Sequence, residues 1–257
     1  MKVLILAGGL GTRLSEETDI RPKPMVQIGG KPMLWHIMKL YSHFGHNDFI
    51  ILMGYKGYLI KEYFINYFYH QNDITIDLST NKIEIHNNKN EPWKITLLDT
   101  GELSMTGSRV KMAKDYVNNE TFMLTYGDGL SDINLNQLTN FHFKHGKILT
   151  MTSVQPDGKF GSFKSDDNNR VTEFLEKPRG VESWVNGGFF VCEPNIFKYI
   201  NDETDVVFEK EPLENLAKDN ELYTYKHPGF WKCMDTLRDK NDLNELWQEN
   251  QAKWKHW

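Results

Sequence analysis

Cysteine is nearly absent from these 257 residues, with only Cys192 and Cys233 present. They lie far apart and match neither a zinc spacing nor a redox pair, which argues against a disulfide-stapled fold or a cysteine-built metal knuckle. Long hydrophobic runs are missing as well. No stretch approaches the ~20 apolar residues that cross a bilayer, and the run after Met1 is too short for a secretory core. The expected setting is therefore the cytoplasm, with no membrane partner. A surplus of positive charge is also lacking: 30 Lys+Arg against 35 Asp+Glu leave a net charge of −5. The chain has no global basic field of the nucleic-acid-binding kind, so an anionic ligand must be met by local cations or by a metal ion. No segment is of low complexity, and no internal repeat or linker interrupts the chain. With 13% aromatic residues the composition is that of a packed domain rather than a disordered one.

What is present concentrates first at the beginning of the chain. Residues 3–6 form a short apolar run suited to a strand buried on both faces, followed by Gly8, Gly9 and Gly11 and then Arg13. Such a turn lets backbone N–H groups approach an anion, while Arg13 adds a fork of donors and Lys23 a point charge. Two familiar phosphate loops do not fit. A P-loop needs Gly-Lys-Ser/Thr, whereas Gly11 is followed by Thr12 and Arg13. A dinucleotide fingerprint counted from Gly9 and Gly11 needs a small residue where Leu14 stands.

The chain then alternates in period. Apolar spacing predicts helices over 33–44 and 58–68 and strands over 49–53, 95–99 and 121–126, the pattern of a mostly parallel sheet with helices on both faces. Between 73 and 86 the period drops to two around Ser79-Thr80-Asn81-Lys82, which predicts an inserted β-hairpin. Gly127-Asp128-Gly129 follows a strand, where an open α/β sheet holds its ligands. A helix over 135–145 carries His142 and His145 at i, i+3 with no carboxylate or thiolate nearby in sequence, which predicts a solvated face rather than a metal site. Short antiparallel runs follow at 160–163 and 171–174, then Glu176-Lys177-Pro178 and a strand around Asn186-Gly187-Gly188. A helix over 211–218 and a strand over 222–226 precede the run 230–236, which leads into Asp235; a helix over 237–247 and the tail with Trp254 and Trp257 supply packing or subunit contacts.

Taken together, the glycine loop with Arg13, the run Pro22-Lys23-Pro24, Asp128, Glu176-Lys177 and Asp235 resemble the sugar-1-phosphate nucleotidyltransferase family over the whole chain. Three features place the resemblance in the branch that uses CTP and glucose 1-phosphate. They are Arg13-Leu14-Ser15-Glu16-Glu17-Thr18, Thr100-Gly101 with Ser104-Met105-Thr106-Gly107, and His227-Pro228-Gly229-Phe230-Trp231 ahead of Met234-Asp235-Thr236. Many relatives using other nucleotides have proline soon after the arginine, where Ser15-Glu16-Glu17 stands here. The resemblance implies an α/β fold: a Rossmann-like mixed, mostly parallel sheet between helices, with the inserted hairpin and a smaller antiparallel sugar-binding part. It implies one domain over 1–257, with a nucleotide-binding half at about 1–130, a sugar-binding half at about 131–240 and a C-terminal helix and tail at 237–257.

The activity implied is transfer of the cytidylyl group of CTP to α-D-glucose 1-phosphate, giving CDP-glucose and pyrophosphate, with Mg²⁺ as cofactor. By the same resemblance the product feeds surface-polysaccharide synthesis such as O-antigen, and the protein is a homo-oligomer, trimer or hexamer. The same reaction with UTP or dTTP is the nearest alternative, and a non-catalytic nucleotide-sugar-binding module a distant one. The residues implied for the nucleotide are Leu6, Ala7, Gly8, Gly9, Leu10, Gly11, Thr12, Arg13, Lys23, Ser104, Arg109, Gly127 and Asp128. Arg13 and Lys23 are assigned charge stabilisation, Asp128 and Asp235 the metal, and Glu176, Lys177, Asn186 and Gly187 the sugar phosphate. Read without the resemblance, Arg109 could equally be a solvated first-turn arginine.

Overall fold

The computed structural model describes residues 1–87, 90–156, 162–165, 170–175 and 184–257. Glu176 and Lys177 therefore lie outside the described residues. One seven-stranded sheet carries the fold, built from β1 (Lys2–Ala7), β2 (Asp48–Met53), β3 (Lys94–Asp99), β4 (Phe122–Tyr126), β5 (Leu149–Val154), β6 (Val185–Cys192) and β7 (Leu222–His227). Its order is β7-β5-β6-β4-β1-β2-β3, so strands from both halves of the chain share one sheet. β1 runs parallel to β2 and β4, β2 to β3, and β5 to β7, while β6 is antiparallel to both its neighbours. The result is the mixed, mostly parallel sheet with helices that the sequence pattern predicts. The parallel strands β1, β2 and β4 end on the same edge, and the glycine loop and Asp128 emerge there.

The continuous apolar run of β1 exists because both faces of the strand are covered. Val3, Ile5 and Ala7 pack with the helix Met33–His43, with Leu243 and with Trp254. Leu4 and Leu6 face the other way, onto Val110, Phe208 and Leu216. Two boundaries differ from the sequence pattern. The helix expected over 58–68 is two, Gly57–Ile65 and Tyr67–Gln71, divided at Asn66, whose side-chain amide and backbone N–H both donate to the Glu62 carbonyl (2.9 and 3.1 Å). The small-residue run 100–109 reads as a loop opening a helix that reaches Tyr116, but the helix is Thr106–Met112, and the chain then tightens into a 3-10 turn, Lys114–Val117, before the left-handed Asn118.

The hairpin Ile74–Asp77/Lys82–Ile85 forms as expected, closed by Asp77, which accepts from the Ser79 backbone N–H at 2.8 Å. Ile76, Leu78 and Ile83 on it are exposed. His142, expected on a solvated helix face, is instead buried, its Nδ1 2.8 Å from Thr150 Oγ1 and its Nε2 3.1 Å from Glu193. The partners come from β5 and from the residue after β6, which sequence spacing could not bring to mind.

The C-terminal tail folds back onto the chain's own core. Trp254 is fully buried, stacked on Phe230 at 5.6 Å, and its Nε1 donates to His36 Nδ1 at 3.3 Å. His36 Nε2 in turn lies 2.8 Å from the Ile28 carbonyl, which can only accept. The ring must therefore carry its proton on Nε2 and stay neutral, since a protonated Nδ1 could not accept from Trp254. Burial is the main cause holding its pKa down at about 4, with Lys255 and Lys31 adding to it. A folded-state pKa below the unfolded one means protons bind the unfolded chain more readily. The stabilisation is thus complete above pH ~6.5 and lost as the pH falls toward about 4. At pH 5 the protein is expected to lose about 2 kcal/mol relative to pH 7 through this group, or about 5 °C in Tm. Thermal unfolding of wild type and His36→Gln at both pH values checks this. A gap between the two pH values that is equal in both proteins would exclude His36 as its source.

Candidate active site

The glycine loop leaves β1 at Ala7 and turns on Gly11, whose φ of +66° is left-handed. A Cβ there would also sit 2.7 Å from Thr18 Cγ2, and Thr18 Oγ1 donates to the Gly11 carbonyl at 3.1 Å. This lock closes the loop over the short turn Thr12–Leu14 that presents the exposed Arg13. Lys23 opens a second turn, Lys23–Met25, after the extended Pro22. Pro24 beneath it packs against Gly127, where a Cβ would meet Pro24 Cγ at 2.9 Å and the Leu6 carbonyl at 2.7 Å. The lysine is thereby held against the end of β4.

Two short strands bring the acidic residues together. Gly129–Ser131 pairs antiparallel with Trp231–Cys233, in a register that sets Cys233 opposite Gly129. The Met234 N–H donates to the Asp128 carbonyl at 2.9 Å, so Asp128 and Asp235 flank the end of the ladder. Asp235 is held from the other side by the cap of the helix Leu237–Gln248. There Asp239 Oδ2 accepts from the Thr236 N–H at 2.9 Å and the Asp235 N–H at 3.2 Å. Lys23 Nζ lies 2.6 Å from Asp128 Oδ2 and 2.6 Å from Asp235 Oδ1, and Arg13 Nη1 lies 2.8 Å from Asp235 Oδ2. Burial opposes the Lys23 charge, but Asp128 and Asp235 more than offset it and raise the pKa above the lysine range. Burial likewise opposes the Asp235 charge, and Lys23 and Arg13 outweigh it, so this carboxyl titrates below its ordinary value.

These groups line one cleft of about 530 Å³, a size suited to a nucleotide with a sugar. Of the residues assigned from the sequence, all of those described line it except the exposed Leu10. At its far side Asn186 Nδ2 donates to Tyr126 Oη at 3.1 Å, and the Gly188 N–H donates to Asn186 Oδ1 at 2.9 Å. The pairing of β5 with β6 shifts register here, and Gly188 has a φ of +78°. A side chain at Gly188 would strike the Tyr126 ring at 2.4 Å. Trp231 Nε1 donates to the Gly187 carbonyl at 2.7 Å and fixes the floor.

Arg109 is neither solvated nor a free donor. It is buried, and its guanidinium donates to the carbonyls of Gly8 (3.0 Å), Met53 (3.1 Å), Gly101 (2.7 Å) and Glu102 (3.1 Å) and to Thr100 Oγ1 (2.7 Å). Gly8 and Gly54 leave the space it occupies, since Cβ atoms there would lie 2.3 Å and 2.4 Å from it. Gly8 thus has a packing reason besides the ligand role expected from the sequence. Sequence reasoning missed Cys233, Tyr126 and Trp231. Cys233 Sγ lies with one oxygen each of Asp128 and Asp235 inside a group whose ligand atoms are all within 4.8 Å of one another. Burial, followed by the Asp128 charge, raises its thiol pKa well above the ordinary value. The strand pairing that makes this neighbourhood leaves no spacing signal in the sequence.

The assembled geometry offers two carboxylates around one cationic point, a guanidinium at the rim and a glycine loop, a set of groups suited to phosphates and a divalent ion. A family model described as nucleotidyl transferase matches residues 2–250. The glucose-1-phosphate cytidylyltransferases of Salmonella typhi and Salmonella typhimurium are each 52% identical over 258 residues, covering 100% of this chain and 100% of theirs. Among solved structures, HddC from Yersinia pseudotuberculosis superposes with a TM-score of 0.68 at 24% identity, covering 96% of this chain and 99% of that one, a likeness of fold. By sequence over nearly its whole length and by fold, this chain belongs to the nucleotidyl transferase family.

Proposed function

We propose that this chain is a glucose-1-phosphate cytidylyltransferase, joining CTP and α-D-glucose 1-phosphate into CDP-glucose with release of pyrophosphate. The observation that carries the reading is the meeting of Lys23, Asp128 and Asp235 at the end of the glycine loop. It is supported by 52% identity, over full length, to proteins named for that activity. In-line displacement at the α-phosphorus depends on orientation and charge neutralisation more than on a protein nucleophile. The loop backbone from Leu6 to Gly11 holds the nucleotide, and Arg13 neutralises the departing pyrophosphate. Lys23 carries its charge to the α-phosphate, where it stabilises the transition state.

Asp128 and Asp235 are the carboxylates that would hold Mg²⁺, which when bound neutralises and orients the reacting phosphates. The fit rests on the donor set: two carboxylates whose oxygens already gather around one cation, the Lys23 ammonium. Arg109 serves the nucleotide from behind, by holding the Gly8 carbonyl and so the loop. Asn186 and Gly187 line the sugar side of the cleft. Lys177 is assigned the sugar phosphate and Glu176 the sugar hydroxyls on the motif Glu176-Lys177-Pro178 alone.

We read the protein as cytoplasmic and homo-oligomeric, with CDP-glucose passing to surface-polysaccharide synthesis. No described helix is long and apolar enough to cross a membrane, and the exposed Ile76, Leu78 and Ile83 of the hairpin offer an apolar contact surface. Pyrophosphate release measured with glucose 1-phosphate, Mg²⁺ and each nucleoside triphosphate in turn tests the activity. CTP is expected to exceed UTP and dTTP by at least about tenfold in kcat/KM. Equal rates with all of them would overturn the assignment of the base.

A further inference from the structure

Cys233 gives the carboxylate pair a third ligand of different chemistry. Its position opposite Gly129 in the short ladder brings Sγ within 4.8 Å of an oxygen of Asp128 and an oxygen of Asp235. Among the described residues this is the one group of three such side chains. Mg²⁺ is a hard ion that takes oxygen ligands and leaves a thiol aside, whereas Zn²⁺ and Cd²⁺ combine thiolate with carboxylate. Ligand atoms around a tetrahedral zinc stand about 3.5 Å apart, so side-chain displacements of about one ångström close the group.

We propose that Asp128, Cys233 and Asp235 together form a binding site for thiophilic divalent ions, Zn²⁺ or Cd²⁺, which compete there with Mg²⁺. The proposal rests on the reading above that Asp128 and Asp235 hold Mg²⁺. On binding, the S–H bond of Cys233 breaks, its proton leaves to the buffer, and a sulfur–metal bond forms; no electrons are exchanged. Two carboxylates and one thiolate carry three negative charges, which the divalent ion and the Lys23 ammonium neutralise. Two oxygens and a sulfur would suit Zn²⁺ or Cd²⁺, whereas Mg²⁺ would take the oxygens alone. Cys192, the other thiol, is fully buried in the core beside Phe122 and Ile196 and takes no part.

The test is a Cd²⁺ titration of the whole protein without nucleotide, read as the ultraviolet thiolate-to-cadmium charge-transfer band. Wild type and Cys192→Ala are expected to develop the band to one equivalent per chain, and Cys233→Ser and Cys233→Ala to lack it. In Asp235→Asn the Cd²⁺ concentration for half-saturation should rise at least about tenfold. Excess Mg²⁺ should displace the band in wild type. Absence of the band in wild type, its survival in both Cys233 variants, or a band that Mg²⁺ leaves untouched would each overturn the proposal. The Mg²⁺ reading fails separately, if pyrophosphate release by Asp235→Asn keeps the wild-type Mg²⁺ dependence.

Discussion

Replacing Lys23 by alanine is expected to lower kcat by about a hundredfold while the chain stays folded, the scale of losing one preorganised transition-state donor. The lysine stem is mostly enclosed, with a side-chain exposure of 13%, and its ammonium touches both Asp128 and Asp235 at 2.6 Å. Removing it takes a fixed positive charge from the cleft and leaves two carboxylates facing each other. The carboxylates then attract a cation at least as strongly as before. The Mg²⁺ concentration for half-maximal rate should therefore not rise, even as kcat collapses. Asp235→Asn should do the opposite to the metal dependence, because it removes a proposed ligand rather than a competing charge. Steady-state kinetics with Mg²⁺ varied separates the two roles. Turnover of Lys23→Ala within about threefold of wild type would sink the assignment of this lysine to the transition state.

Arg109→Met is expected to destabilise the protein by about 3–5 kcal/mol, seen as a fall in Tm of about 10 °C. The methionine fills part of the space but donates nothing, so carbonyls of three separate segments lose a charged donor at once. A buried acceptor left without its partner costs more than the bond contributed. The Gly8 carbonyl still receives the Tyr55 N–H at 3.2 Å, which keeps the loop from opening entirely. Gly8→Ala attacks the same contact from the other side, by placing a Cβ 2.3 Å from Arg109 Cζ. The two changes in one chain should cost clearly less than their sum, since both remove one interaction. Differential scanning calorimetry of the four proteins measures this. A Tm of Arg109→Met within about 2 °C of wild type would show that the guanidinium is not a clamp.

Much of the fold was legible because the core strands are covered on both faces. Their apolar runs, such as 3–6 and 49–53, stand out against a charged chain and alternate with helical spacing. The hairpin at 74–85 was legible for the opposite reason, since an exposed ribbon keeps a strict period of two. Glycines, lysine and acids at strand ends pointed to the cleft, and the structure gathers Arg13, Lys23, Asp128 and Asp235 within direct contact. What escaped was decided by partners distant in sequence. His142 reads as a surface residue until Thr150 and Glu193 are folded against it. Arg109 is read as a ligand or as solvated until the ends of β1 and β2 surround it. Cys233 carries no motif, and only the pairing with Gly129 turns it toward the carboxylates.

The three-residue ladder that joins Gly129–Ser131 to Trp231–Cys233 also bears on the order in which the molecule becomes competent. Lys23 stands 105 positions from Asp128 and 212 from Asp235. A chain emerging from the ribosome can close β1, β2 and β4, and with them the glycine loop, while its C-terminal third is still unmade. The second carboxylate comes from the C-terminal part of the chain, where Asp132 accepts the Phe230 N–H at 2.7 Å and Asp239 accepts the Asp235 N–H at 3.2 Å. Contacts of such long range are the slow ones to form. The carboxylate pair is thus expected among the last parts of the protein to assemble, and a nascent chain has the loop assigned to the nucleotide before it has the pair assigned to the metal.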